Sequence, residues 1–292
     1  VTLTLPPMDL GLVVRSHGWY DLPPFEWRPE EKTLGFFFLE EEYPVRVEVE
    51  ERTSGLIASA RALENLSSDI SSRSLASVLE RVLDLKADLS SFHSLCAGDA
   101  RFAWIARRGL GRILRAPTLF EDAVKVLATT NCTWSLTKIM VKNLIERFDR
   151  GGAFPDARFV AGLSARVLTA AKWGYRAPYL AAFAGRVASG KLDLARWEHP
   201  GVPDEEVEKE IRAEKGFGPY AADTLGRLLG RHRKLGLDAW SRKKVATLRF
   251  RGRSVKDARV ARFYAPFGPQ AGLAFWLDVT RDWHEEKESV WP

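Results

Sequence analysis

Polar and apolar residues follow two different periods along this chain. Val45, Val47 and Val49 alternate with Arg46, Glu48 and Glu50, the two-residue period of a strand with one face buried. The runs TLGFFFLEE, YPVRVEVEE and SGLIASARAL are β-prone, and Pro6, Pro7, Pro23, Pro24 and Pro44 punctuate the segment that holds them. Together they predict a small antiparallel sheet. A Ser-rich stretch, NLSSDISSRS, then leads into helical periodicity at SLASVLERVLDL. A soft boundary falls in or soon after that stretch. It divides an N-terminal β-rich domain, residues 1–90, from a helical domain, residues 91–292.

The rest of the chain reads as helices with recognisable ends. Thr118 stands three residues before Glu121, a capping box for the helix LFEDAVKVLATT. Trp134, Ile139, Met140, Leu144, Ile145 and Phe148 mark the apolar face of the next helix, closed by Gly151 and Gly152. APYLAAFAGRVASG stops at Gly190, a C-terminal cap. DEEVEKEIRAEKG opens on acidic residues, which suit the positive end of a helix dipole, and stops at Gly216. AADTLGRLLG and VKDARVARFYAPFG follow, and a last helix is predicted through GLAFWLDVTRDWHEE. The fold class is therefore α+β and mostly α.

Composition narrows the function classes. The 292 residues are 46% hydrophobic and 28% charged, an ordinary globular balance. No apolar run approaches the roughly 20 residues that a membrane-spanning helix needs. The opening VTLTLPPMDL lacks the basic flank and apolar stretch of a signal peptide, so a cytoplasmic protein is expected. Two cysteines, Cys96 and Cys132, make no disulfide framework and cannot ligate a zinc or a four-cysteine iron–sulfur cluster. The net charge is +6, and it is polarised. Acidic residues crowd 30–51, whereas 227–262 is strongly basic. That pattern suits nucleic acid, and it suits a solvated basic face equally well.

The chemistry concentrates in EKEIRAEKGFGPYAADTLGRLLGRHRKLGLDAW. It reads as helix, glycine turn (Gly216, Phe217, Gly218), helix over the hairpin 204–230, then a loop ending at Asp238. Glycines permit turn conformations that side chains forbid and let backbone N–H groups approach a phosphate. The second helix starts near Pro219, so its positive end faces the same phosphate. Phe217 would plug the turn into the core. Asp238 is followed by Arg242, Lys243 and Lys244, expected phosphate neighbours, and by itself it could equally be a helix N-cap.

This arrangement resembles the helix-hairpin-helix (HhH-GPD) DNA glycosylase superfamily, in its alkylpurine and 8-oxoguanine branch. The resemblance runs from roughly Phe92 to His284. It rests on the hairpin with its downstream Asp, on RAPTLFEDAVKVLATTNCTW, on WGYRAPYLAAFA and on YAPFGPQAGLAFW. It implies a two-lobed helical body with a small N-terminal antiparallel domain, and a DNA cleft between the lobes. Asp238 would be the catalytic carboxylate, stabilising the positive charge that develops on deoxyribose and orienting water. Lyase-active relatives carry a Schiff-base lysine in the second hairpin helix; Tyr220 stands there, which implies a monofunctional enzyme that leaves an abasic site. Lys215 and Lys243 lie nearby in sequence but off that position. The base must be flipped out of the stack. Asn131 matches the position that fills the void left behind, with a helix-start cap as its plainer role. Trp134 is pocket wall or core. The resemblance also implies a monovalent cation at the hairpin when DNA is bound, and no other cofactor or metal.

The lesion is less legible. The segment GPQAGLAFW puts Phe275, beside Trp276, where the 8-oxoguanine branch carries a base-reading glutamine, and Val279 where it carries a stacking phenylalanine. An aromatic wall suits a positively charged alkylated purine such as 3-methyladenine, although Phe275 and Trp276 read equally well as core residues of a late helix. 8-Oxoguanine glycosylases and mismatch-directed adenine or thymine glycosylases are the alternatives. A non-catalytic helix-hairpin-helix module is the rival of another class, and an RNA-binding adaptor ranks below it. Double-stranded DNA carrying a damaged base is the expected partner of a monomer.

Overall fold

A computed structural model of the chain describes residues 1–63 and 70–285. Part of the Ser-rich boundary expected at 65–74, and Glu286 at the end of the last expected helix, lie outside the described residues.

Five strands form one antiparallel sheet in the order β1-β5-β4-β3-β2. They are β1 (Thr2–Leu5), β2 (Glu26–Arg28), β3 (Thr33–Glu40), β4 (Tyr43–Arg52) and β5 (Gly55–Ala62). The register pairs Leu34 with Val49, Phe36 with Val47 and Phe38 with Val45, all buried on one face. The valine alternation read from sequence thus falls on the core side, and Ala58 and Ala60 of β5 continue that face. The edge strands β1 and β2 have four and three residues, too few to show a period in the sequence.

The helices follow in chain order. The first five are α1 (Leu10–Val14), α2 (Ser72–Val82), α3 (Ser90–Ala97), α4 (Ala103–Arg107) and α5 (Leu119–Thr129). Next come α6 (Trp134–Phe148), α7 (Ala157–Gly162), α8 (Ala165–Ala170), α9 (Ala177–Ala188) and α10 (Leu194–Glu198). The last six are α11 (Asp204–Ala213), α12 (Pro219–Leu228), α13 (Ala239–Arg249), α14 (Asp257–Tyr264), α15 (Ala271–Val279) and α16 (Arg281–Glu285). No helix among the described residues is long and apolar enough to cross a membrane.

The chain forms two compact units, one of Val1–Lys86 with Ile113–Leu194, the other of Ala87–Arg112 with the residues from Ala195 onward. In the first, Asp122 of α5 is fully buried and accepts from Trp19 Nε1 at 2.7 Å, from the Ala116 backbone at 2.9 Å and from Arg81 at 2.5 Å. A second buried pair, Lys125 with Glu121 at 2.6 Å, lies one turn away. Thr118 caps α5 by accepting from the Glu121 backbone at 3.1 Å, but the Glu121 carboxylate turns to Lys125, so half of the expected capping box forms.

In the second unit, Phe102 of the α3–α4 segment packs against Tyr264 and Phe267 with ring centroids 5.9 and 4.8 Å apart. Buried Asp278 of α15 gathers Arg249 from α13 and Tyr264 from α14, the phenol donating at 2.5 Å. Burial and the Asp278 charge push the Tyr264 phenol far above its usual range, so it stays a donor. The single last helix predicted from sequence is in fact two. It breaks at Thr280, whose backbone N–H and hydroxyl both donate to Trp276 O, at 3.0 and 2.7 Å.

Candidate active site

The site grows from the turn between α11 and α12. Gly216 adopts φ +93°, a conformation that a side chain would strain, while Phe217 is 2% exposed and plugs the turn into the core. Gly218 caps α12 and is exposed; a Cβ built there meets nothing within 4 Å. The protein itself does not require glycine at 218, and the open space lies at the N-terminus of a ten-residue helix with Pro219 in its first turn. Tyr220 is half-buried in that turn, and Lys215 is exposed beside it.

Three contacts fix the loop that leads to Asp238. The Gly272 N–H of α15 donates to His232 O at 2.7 Å. Arg227 Nη2 of α12 donates to Leu235 O at 2.9 Å. The Gly236 N–H donates to the carboxylate of Asp223, also on α12, whose pKa is raised by burial and then by Glu208. Gly236 has φ +67°, a conformation that a side chain would strain, and a Cβ there would lie 2.8 Å from Arg227 Nη2 and crowd the guanidinium.

Asp238 ends the loop as the N-cap of α13. Its Oδ1 accepts from the Ser241 N–H at 2.7 Å, and Ser241 Oγ accepts from the Asp238 N–H at 2.9 Å, a reciprocal capping box. Capping engages Oδ1 alone; Oδ2 has no hydrogen-bond donor among the described residues. The residue is half-exposed and lies within electrostatic reach of Arg227 and Arg242. One carboxylate thus holds a helix and still presents an unsatisfied anionic oxygen.

The three basic residues after Asp238 point to different fates. Arg242 is exposed but held bidentately by Asp257 at 2.9 and 2.8 Å, which raises its pKa and lowers that of Asp257. Lys244 pairs with Asp282 and lies 5.8 Å from the Trp240 ring centre. Lys243 is exposed and forms no ion pair among the described residues. Of these three expected phosphate neighbours, Lys243 is the one whose ammonium has no ion pair among the described residues.

The expected aromatic wall also changes. Phe275 is fully buried and packs edge-on against Tyr264 at 5.3 Å, so it presents no face to a base and belongs to the core. Helical spacing explains this, since residues 275 and 276 stand about 100° apart around α15. Trp276 is half-buried, with the Arg227 guanidinium 4.2 Å from its ring centre, Trp240 tilted against it at 6.3 Å and Trp283 edge-on at 5.6 Å.

Asn131 and Trp134 belong to the first unit. Asn131 is exposed at the turn between α5 and α6 with φ +46°, a left-handed conformation that asparagine tolerates. The cap of α6 is Thr133, which leaves the Asn131 side chain free of that duty. Trp134 is half-buried in the first turn of α6, its Nε1 donating to Asp21 at 2.7 Å.

Arg227, Asp223, Gly236 and Gly272 escaped the sequence reading. A signal existed for the first two: Tyr220, Asp223 and Arg227 stand at i, i+3 and i+7, one polar face on a helix that otherwise buries Ala221, Leu225 and Leu228.

No family model and no curated protein matches the sequence. Solved structures do match. A 3-methyladenine DNA glycosylase from Archaeoglobus fulgidus superposes with TM-score 0.75 at 16% identity, covering 96% of this chain and 98% of that one. MBOgg1, solved in complex with a low-affinity DNA ligand, gives TM-score 0.75 at 18% identity over 96% of this chain and 95% of its own. An 8-oxoguanine glycosylase/lyase from Clostridium acetobutylicum, in complex with double-stranded DNA containing cytosine opposite 8-oxoG, gives 0.69 at 18% identity over 92% and 93%. At such identities the likeness establishes the fold: this chain has the α+β, mostly helical fold of these DNA glycosylases.

Proposed function

We propose that this chain, which has the fold of DNA glycosylases, is itself one. It would be a monofunctional enzyme that flips a damaged purine out of double-stranded DNA and hydrolyses its N-glycosidic bond. The observation that carries the reading is Asp238, whose Oδ2 is uncommitted at the end of a loop tied to the hairpin helix α12. As the bond breaks, positive charge develops on the deoxyribose, and a fixed carboxylate stabilises it and orients the attacking water. The exposed glycine turn and the N-terminus of α12 receive a backbone phosphate, and Lys243 adds a mobile positive charge. A monovalent cation would sit between hairpin carbonyls and that same phosphate, so DNA would complete its site. Asn131, exposed at its turn, suits the void left by the flipped nucleotide.

Tyr220 carries no amine and cannot form an imine with the sugar, which supports base removal without strand cleavage. An alkylated purine such as 3-methyladenine is the first candidate substrate, with Trp276 as the stacking ring. A second reading has its own support. The Arg227 cation 4.2 Å from the Trp276 ring already draws on its π electrons and repels a cationic base, which favours a neutral oxidised purine such as 8-oxoguanine. The protein would act as a cytoplasmic monomer.

The test is a set of duplexes each carrying one lesion, among them an alkylated purine, 8-oxoguanine, and mispaired adenine and thymine. Strand breaks that appear only after alkali are expected, first with the alkylated purine. Breaks before alkali would refute the monofunctional assignment. No alkali-labile site in any duplex would refute the enzyme.

A further inference from the structure

Arg227 of α12 is a buried cation in the second unit. It is 2% exposed and forms no salt bridge among the described residues, and its Nε has no acceptor. Burying a cation is costly, several kcal/mol in general, and hydrogen bonds and nearby opposite charge must offset it. Burial lowers its pKa to about 10, opposed at neutral pH by the Asp223 and Asp238 carboxylates, so the guanidinium stays protonated there.

Its contacts tie the hairpin helix to the Asp238 loop and to α15. The side chain rises from α12, the helix that opens at the glycine turn. Nη2 donates at 2.9 Å to Leu235 O, three residues before Asp238, and the guanidinium lies 4.2 Å from the ring centre of Trp276 on α15. Gly236 leaves room for it, since any Cβ there would lie 2.8 Å from Nη2. A planar fork can donate along its edge while stacking through its face; a lysine ammonium cannot do both at once.

We propose that Arg227 is a positioning residue for the glycosylase reaction: it locks the Asp238 loop and the Trp276 ring onto the hairpin helix, so that carboxylate, stacking ring and phosphate clamp keep one geometry. This rests on the functional reading above. Binding of the DNA backbone uses the exposed turn and Lys243, which Arg227 does not touch, whereas the chemical step depends on where Asp238 stands. Misplacement by about 1 Å is enough to lower such a step on the order of 100-fold.

The experiment measures single-turnover base release and, separately, affinity for a duplex holding a non-cleavable tetrahydrofuran abasic site. Arg227→Lys keeps the buried charge and most of the stem, and so keeps the fold. It should release base on the order of 10-fold more slowly than wild type, with affinity changed by less than about 3-fold. Arg227→Ala should fall further, on the order of 100-fold, and regain part of its rate when guanidinium ion is added at millimolar concentration. A wild-type rate in Arg227→Lys would overturn the proposal, because charge alone would then suffice. So would parallel losses of rate and affinity with no response to guanidinium, which mark a merely structural role. If wild type releases no base from any lesion, the functional reading fails; if wild type is active and both variants match it, only the role of Arg227 fails.

Discussion

Replacing Gly272 by alanine sets two known effects against each other. Alanine in a helix is favoured over glycine by about 1 kcal/mol, so propensity alone predicts stabilisation. Packing predicts the opposite. A Cβ at 272 would lie 2.0 Å from Lys234 O, 2.7 Å from His232 O and 2.9 Å from Lys234 C, all backbone atoms that no rotamer change can move. Reaching ordinary contact needs a shift of more than about 1 Å, and overpacking of that kind costs about 1–3 kcal/mol. The displaced loop would also lose the 2.7 Å bond from the Gly272 N–H to His232 O, a further loss of about 1 kcal/mol. Packing wins, and Gly272→Ala should be destabilised by about 1–3 kcal/mol, read as a lower urea midpoint. Because Lys234 and Asp238 share one loop, single-turnover base release should fall on the order of 100-fold. An alanine variant as stable as wild type, with an unchanged rate, would show that this loop does not depend on its seat on α15.

Other substitutions test other parts of the account. Lys243→Ala should lower the slope of log affinity against log salt by about 1, whereas Arg242→Ala, already paired with Asp257, should change it less; equal changes would contradict the distinction. Lys125→Met strands Glu121 in the core and should cost about 3 kcal/mol at neutral pH. Burial already raises the Glu121 pKa, so the stranded carboxyl contributes full stability below the ordinary value of 4.5 and loses it as pH rises; Glu121→Gln added to Lys125→Met should remove that pH dependence. Cys96 is fully buried with its thiol pushed up to about 12, so a thiol reagent should modify half-buried Cys132 first, and both cysteines at similar rates only after denaturation.

What the sequence disclosed was local, and what it withheld depended on contacts distant in the chain. The sheet could be read at Val45, Val47 and Val49 because one buried face imposes a two-residue period, and the glycine turn could be read because Gly216 needs a positive φ. Thr133 rather than Asn131 caps α6, a choice between neighbours that spacing alone left open. The orientation of α15 was not legible: Phe275 faces inward because Tyr264, eleven residues earlier, offers it an edge, and Trp276 is left for Arg227. The break at Thr280 leaves no mark on the apolar periodicity. Arg227 looked like one more member of a basic stretch. Its burial shows only once the loop through Leu235 and Gly236 folds over it.

The most direct measurement compares wild type with Asp238→Asn on a duplex whose lesion the enzyme releases. Asparagine caps a helix about as well as aspartate, so the box with Ser241 and the stability of α13 should survive while the anionic oxygen is lost. Abasic-site formation falling at least about 100-fold, with duplex affinity retained, is the predicted result. Base release at the wild-type rate would leave Asp238 a helix cap and nothing more.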